Sequence, residues 1–183
     1  MRTERLRAEY HVDFRHTQFP LHPDTPDEGL PTAQLFAGRP FDIDAVHDRL
    51  ARLMAAEGLP FNQPAMIYNS RLAQELAKWA ETQDGGAGIH DALYRAYFVD
   101  GLNIARIGTL AAIVRQLGLP EADARDALSS RRFRDAVDAD WRRSRGLGVT
   151  AVPTFVVGRN GIVGAQPYEV LEQAVVEAGA ERR

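Results

Sequence analysis

The chain contains no cysteine in 183 residues, which excludes disulfides, thiolate metal sites and thiol catalysis by its own side chains. Long hydrophobic runs are missing too. Its longest apolar stretches, such as GTLAAIV, fall well short of the roughly 20 residues that span a bilayer, and MRTERLRAEY lacks the apolar segment of a secretory signal. The reading is therefore a cytoplasmic protein with no membrane partner. An excess of positive charge is equally absent: the formal net charge is −3 and the pI is near 6.0, so no global basic field draws the chain to nucleic acid or acidic membranes. Phosphate-binding GxGxxG and GxxxxGKS/T patterns do not occur; GGAG at 85–88 has no strand ahead of it and reads as a linker. The five histidines, His11, His16, His22, His47 and His90, form no HExxH-type spacing, so neither a metal nor a cofactor is expected.

What is present is an ordinary globular composition, 45% hydrophobic and 26% charged, long enough for one well-buried core. YHVDFRHTQF alternates Tyr10, Val12 and Phe14 with His11, Asp13 and Arg15, the period of a strand over 10–18. Pro20, Pro23, Pro26 and Pro31 then mark a loop. From 42 to about 146 the period is helical. One helix carries Ile43, Val46, Leu50, Leu53 and Met54 on a stripe behind an Asp42 or Asp44 cap; Asn69 caps the next, with Leu72, Leu76 and Ala80 on its face. Further helices carry Ile89, Leu93, Ala96 and Tyr97; Ile107, Leu110, Val114 and Leu117; a short run opened by Pro120; and Phe133, Val137 and Trp141.

The last of these, RRFRDAVDADWRRSR, has six arginines with Asp135, Asp138 and Asp140 among them. It reads as a solvated face in which acids pair with nearby arginines, not as a nucleic-acid helix. At 148 the period changes. GVTAVPTFVVGRNGIVGAQP reads as a loop, a strand over 154–157, a turn at Asn160-Gly161, a strand over 162–165 and a helix opened by Pro167, with Val170, Leu171, Ala174 and Val175 inward.

Val152-Pro153 at the front of that strand has two readings: an edge residue that merely starts the strand, or a cis bond that turns the backbone and leaves the preceding residue free to pair with an extended partner. FPLHPDTPDEG, NSRLAQELAKWAE, ALYRAYFVDGLNI and GVTAVPTFVVGRNGIVGAQP, in this order, resemble the DsbA family in its FrnE-like branch. That resemblance implies an α/β, thioredoxin-like sheet with a large all-helical insertion. Residues 1–40 would form the first thioredoxin half with its proline-rich loop, 41–146 the insertion, and 147–183 the second half with a cis-proline loop, hairpin and terminal helix.

Members are mostly dithiol-disulfide oxidoreductases, with relatives that bind glutathione or act as isomerases. This chain departs from them. MRTERLRAE resembles only the tail of the crossover helix, so the first strand, the Cys-x-x-Cys turn and most of that helix have no counterpart. The resemblance implies that the absent strand would lie between 10–18 and 154–157, leaving unpaired backbone that a longer chain, a rearrangement or a second copy in a homodimer would close. No catalytic residue is expected. The candidate binding residues are Val152 and Pro153 for an extended peptide or thiol substrate such as glutathione, Asn69 and Ser70 as a helix cap or a carboxylate site, and Gln166 as a cap or a ligand contact. His22 reads as loop-ordering.

Overall fold

The computed structural model describes residues 2–38 and 42–183; the domain boundary expected at 40 and 41 lies outside them. Two compact units emerge, one made of 1–21 with 140–183 and the other of 22–139.

The 22–139 unit is helical because its apolar residues recur at three- and four-residue spacing. Its helices are α2 (Thr32–Leu35), α3 (Ile43–Ala56), α4 (Arg71–Ala80), α5 (Ile89–Phe98), α6 (Ile107–Gln116) and α7 (Glu121–Ser129), and α8 (Arg134–Gly146) begins here. (α1, Arg2–Glu9, belongs to the other unit.) Leu76, Trp79, Ala80, Leu110, Val114 and Ala124 are fully buried in its core. The Trp79 indole N–H donates to Asp123 Oδ2 at 2.6 Å, so the largest buried side chain leaves no polar atom unpaired.

Three expectations change in this unit. The proline-rich loop ends in a two-residue strand β1 (Leu30–Pro31), paired antiparallel with β2 (Met66–Ile67). On α3, Val46 is exposed and His47 is the buried residue, held by Gln63 at 2.6 Å; a polar contact overrides the hydrophobic stripe. GGAG is not a free linker either. It forms a short 3₁₀ turn in which Gly86 is buried, and a Cβ there would collide with the Ala80 carbonyl, so the close approach to the end of α4 requires glycine.

A buried ion network fixes α4 against the junction between α7 and α8. Glu75, 1% exposed, accepts from Arg131 Nε at 2.9 Å and Nη2 at 2.7 Å, and from Arg71 Nε at 2.8 Å. Arg71 continues to Asp138 at 2.7 Å. Asp138 of α8 thus pairs with an arginine of another helix. Arg131 sits at φ 56°, in the left-handed region, a conformation that costs a non-glycine residue of order 1–3 kcal/mol and persists where its surroundings demand it.

The second unit holds α1 (Arg2–Glu9), β3 (Thr154–Val157), β4 (Asn160–Val163) and α9 (Tyr168–Glu177). Leu6, Tyr10, Tyr168, Leu171 and Val175 form its core, with Val12, Phe14, Phe155, Val157 and Ile162 packed on it. Val170, expected inward, is 40% exposed. The turn of the hairpin is Gly158-Arg159, with Gly158 at φ 59°, and Asn160 and Gly161 belong to β4. Gly158 supplies the positive φ that a tight two-residue turn requires, so the second strand starts two residues earlier than expected. The alternating segment 10–18 forms no strand beyond an isolated Tyr10–Arg182 bridge. Its period is that of a strand, but among the described residues no neighbouring strand pairs with it. Gln18 is nonetheless anchored: its N–H donates to Asp140 at 3.1 Å and its carbonyl accepts from Ser144 at 3.3 Å.

Burial alone would raise the Glu75 carboxyl pKa, but the hydrogen bonds from Arg131 and Arg71 outweigh it and hold the group below its ordinary value. A depressed folded-state pKa stabilises above the unfolded value and loses that contribution as pH falls through the folded one. The stability gap between the native chain and Glu75→Gln, measured by thermal unfolding, is expected to be widest at neutral pH and to narrow as pH drops below the usual carboxylate range. A gap independent of pH would contradict this. Leu110→Ala, at a fully buried position, is expected to lower the unfolding free energy by about 2–5 kcal/mol in denaturant titration.

Candidate functional site

The sequence from Gly148 to Thr154 builds a short loop at the front of β3. Gly148 and Val149 close the end of α8 by donating to the Arg145 and Ser144 carbonyls. The Thr154 hydroxyl donates to the Ala151 carbonyl at 2.7 Å, which ties the loop to the strand. Between these anchors lie Val152 and Pro153, joined by a cis peptide bond. The Pro153 carbonyl accepts from Gly164 N–H at 2.8 Å. Val152 is 47% exposed, and among the described residues its own N–H and C=O have no main-chain partner.

Gln166 belongs to the same end of the hairpin. Its N–H donates to the Gly164 carbonyl and its side-chain amide donates to the Val163 carbonyl at 2.8 Å. Pro167, not Gln166, holds the cap position of α9. Gln166 therefore closes the strand end two residues beyond the one that bonds Pro153, with its side-chain carbonyl oxygen left as an acceptor. Arg2 reinforces this corner by donating to the Gln166 carbonyl at 2.7 Å, an interaction between positions 164 apart that no local spacing announces.

Asn69 and Ser70 belong to the other unit. Asn69 Oδ1 accepts the Arg71 N–H at 2.9 Å, which makes it the functional cap of α4. Its amide donates to the Thr25 carbonyl at 2.8 Å and the Pro23 carbonyl at 3.2 Å. The Ser70 hydroxyl accepts from Gln74 at 3.0 Å. These bonds occupy Asn69 with folding the 23–25 loop onto the start of α4. His22 contributes to the same loop, edge-on to Phe36 at 5.9 Å.

Chemically, the corner at Val152, Pro153 and Gln166 presents donors, acceptors and an exposed apolar side chain, and no nucleophile. Two phenols elsewhere are poor proton carriers near neutral pH. Burial pushes Tyr97 up to about 12, and burial followed by its hydrogen bond to Glu9 pushes Tyr168 to about 12. Among the described residues no three histidine, aspartate or glutamate side chains cluster as metal ligands.

The chain as a whole has known counterparts. The DSBA-like thioredoxin domain family matches residues 1–176. The chain belongs to this family. A solved structure of a probable DsbA oxidoreductase from Streptomyces coelicolor is 29% identical, with a TM-score of 0.83 over 92% of this chain and 76% of that one. The cytosolic disulfide reductase DsbM from Pseudomonas aeruginosa, solved with GSH, is 26% identical with a TM-score of 0.56 over 80% and 79% of the two chains. A 2-hydroxychromene-2-carboxylate isomerase shares the fold at 23% identity, with a TM-score of 0.65 over 74% of this chain and 66% of that one.

The uncharacterized protein YwbO of Bacillus subtilis is 30% identical over 105 residues, 57% of this chain, and the chain spans about half its length, 52%. Within this DsbA-like family the present chain carries no cysteine, so it supplies no thiolate of its own for dithiol exchange. Among the described residues no helix is long and apolar enough to cross a membrane.

Removal of the Asn69 side chain is expected to cost about 1–3 kcal/mol through the buried groups it leaves unpaired. In Asn69→Ala, hydrogen exchange at Thr25 and Arg71 accelerates while exchange at Phe155 does not; unchanged exchange at all three would contradict the capping role.

Proposed function

We propose that this DsbA-like chain is a redox-inert holder of extended peptides or of glutathione, of the FrnE-like type and cytoplasmic, which binds through Val152 and Pro153 with Gln166 beside them. The observation that carries the reading is Val152: an exposed side chain on a loop anchored at both ends, with main-chain groups that have no main-chain partner among the described residues. An extended ligand backbone satisfies such groups in the manner of an added strand. Glutathione fits the same demand as a small extended peptide, and DsbM, whose structure was determined with GSH, supports it as a probe. Without a cysteine no mixed disulfide forms, so binding is non-covalent and indifferent to the oxidation state of the ligand thiol. Asn69 and Ser70 enter this reading only through the loop they order. In domain terms it retains a helical insertion over 41–146 between two thioredoxin halves.

Two measurements test it. Insulin reduction with the pure chain and dithiothreitol is expected to stay at background, and turnover above background would overturn the redox-inert part. Calorimetric titration with glutathione, its disulfide and an extended peptide is expected to give weak saturable heat, with Val152→Pro reducing affinity about tenfold for the roughly 1.4 kcal/mol carried by the lost main-chain hydrogen bond. Absence of heat with all three ligands would overturn the binding part.

A further inference from the structure

The helical unit carries a cavity of about 460 Å³ between α5 and α6. The two helices run antiparallel there. Gly88, just ahead of α5, sits so near Leu117, just after α6, that a Cβ on it would lie 3.3 Å from the Leu117 Cδ2, and this contact closes one end. At the other end the chain turns back after α5, where Asp100 N–H donates to the Arg95 carbonyl at 2.9 Å and Leu102 N–H to the Ala96 carbonyl at 2.8 Å. That turn closes the second end with Asp100 and Leu102.

Between the ends the floor is apolar, because the side chains that face one another are short or aliphatic. Ala96 and Ile113 are buried there, and Ala92 and Ala112 are half-buried. Thr109 and Gln116 give the length: both line the cavity from α6, and the seven positions between them are a helical rise of about 10 Å. The antiparallel run sets Thr109 at the Asp100 end and Gln116 at the Gly88 end. The result is an elongated trough, apolar along its floor and polar at both ends.

Charge selects the occupant. The charged side chains of the lining are Asp91, Arg95 and Asp100, and Arg95 Nε donates to Asp91 Oδ2 at 2.9 Å, so that pair is neutral within itself. Among the described residues the Asp100 carboxylate has no ion pair or hydrogen bond, and the Thr109 hydroxyl and the Gln116 amide have no hydrogen-bond partner either. One negative charge is therefore unmatched, with a hydroxyl beside it and an apolar floor leading away from it. A cationic head on a hydrocarbon body complements all three features.

We propose that this trough binds a small aliphatic amine, whose ammonium donates to the Asp100 carboxylate and whose hydrocarbon body lies on Ala92, Ala96, Ala112 and Ile113. The Thr109 hydroxyl is a second acceptor for the ammonium, and the Gln116 amide meets the far end of the ligand. Closure at both ends suits a free molecule enclosed in a pocket, not a polypeptide that must continue beyond it. The lining includes neither Val152, Pro153 nor Gln166, so the site is independent of the proline loop.

The probe is n-octylamine, titrated into the full chain while amide shifts are followed by two-dimensional NMR, with octanoate as a comparator of the same body and opposite charge. Saturable shifts are expected at Ala92, Ala96 and Ala112 and at the Gln116 side-chain amide. Octanoate should bind at least about tenfold more weakly, and Asp100→Asn should weaken octylamine about threefold to fivefold, the range of an exposed ion pair. Asp100 is exposed and its one bond to α5 is through its main chain, so this variant keeps the fold. Ala112→Leu, which fills the trough, should abolish binding; where it fails to fold, the comparison of the two probes on the native chain remains decisive. Four results would each overturn the proposal: no saturation at about 20 mM octylamine; equal affinity for octylamine and octanoate; unchanged affinity in Asp100→Asn; or shifts that saturate only at Val156 and Val163, exposed valines of the hairpin, with α5 and α6 unmoved.

Discussion

The 1–21 and 140–183 unit depends on one packing interaction: the inner face of the β3–β4 hairpin, Phe155, Val157 and Ile162, lying on the cluster of Leu6, Tyr168, Leu171 and Val175. An isolated two-stranded hairpin is marginal in water. Here each strand has four residues, too few to hold a ladder without that support. Because α1 and α9 supply it, the hairpin presents its other edge and the loop before it as fixed surfaces. The polar bonds around it serve the same end. Tyr168 donates to Glu9 at 2.8 Å and Tyr10 donates to Glu172 at 2.8 Å, which ties α1 and the segment after it to α9.

Much of this was legible in the sequence where the physics is local. The helices α3 to α9 follow from apolar spacing with Asp42 and Asn69 as caps, and the capping bonds are present. The period change at 148 marked the hairpin. Its register differs from the pattern because Asn160-Gly161 is a strong local turn signal, while the folded chain uses the positive φ of Gly158 instead. The segment 10–18 shows the opposite limit. Alternation records which side chains face a core, as Val12 and Phe14 do, but a strand also needs a neighbour, and no local pattern carries that information. Arg131 is the clearest omission. Its bidentate contact with Glu75 spans 56 positions, and only the Arg71–Glu75 pair, four residues apart, left a trace in the spacing.

For the site, the residues singled out from sequence divide by what already occupies them. Asn69 and Ser70 are engaged in forming α4 and its preceding loop. Val152 has main-chain groups with no main-chain partner among the described residues, and Gln166 closes the strand end beside it. In a DsbA-like chain without cysteine, the binding proposed at Val152 is recognition of backbone by backbone. Recognition of this sort reads shape and alternation more than individual side chains.

β3 is held on one edge and, among the described residues, has no main-chain partner on the other, and residue-resolved amide exchange of the free chain tests this. Phe155, Val157 and Ile162 are expected to exchange slowly while Thr154 and Val156, interleaved with them, exchange near the unprotected rate. Equal protection at all five positions would show the open edge already covered and would contradict it.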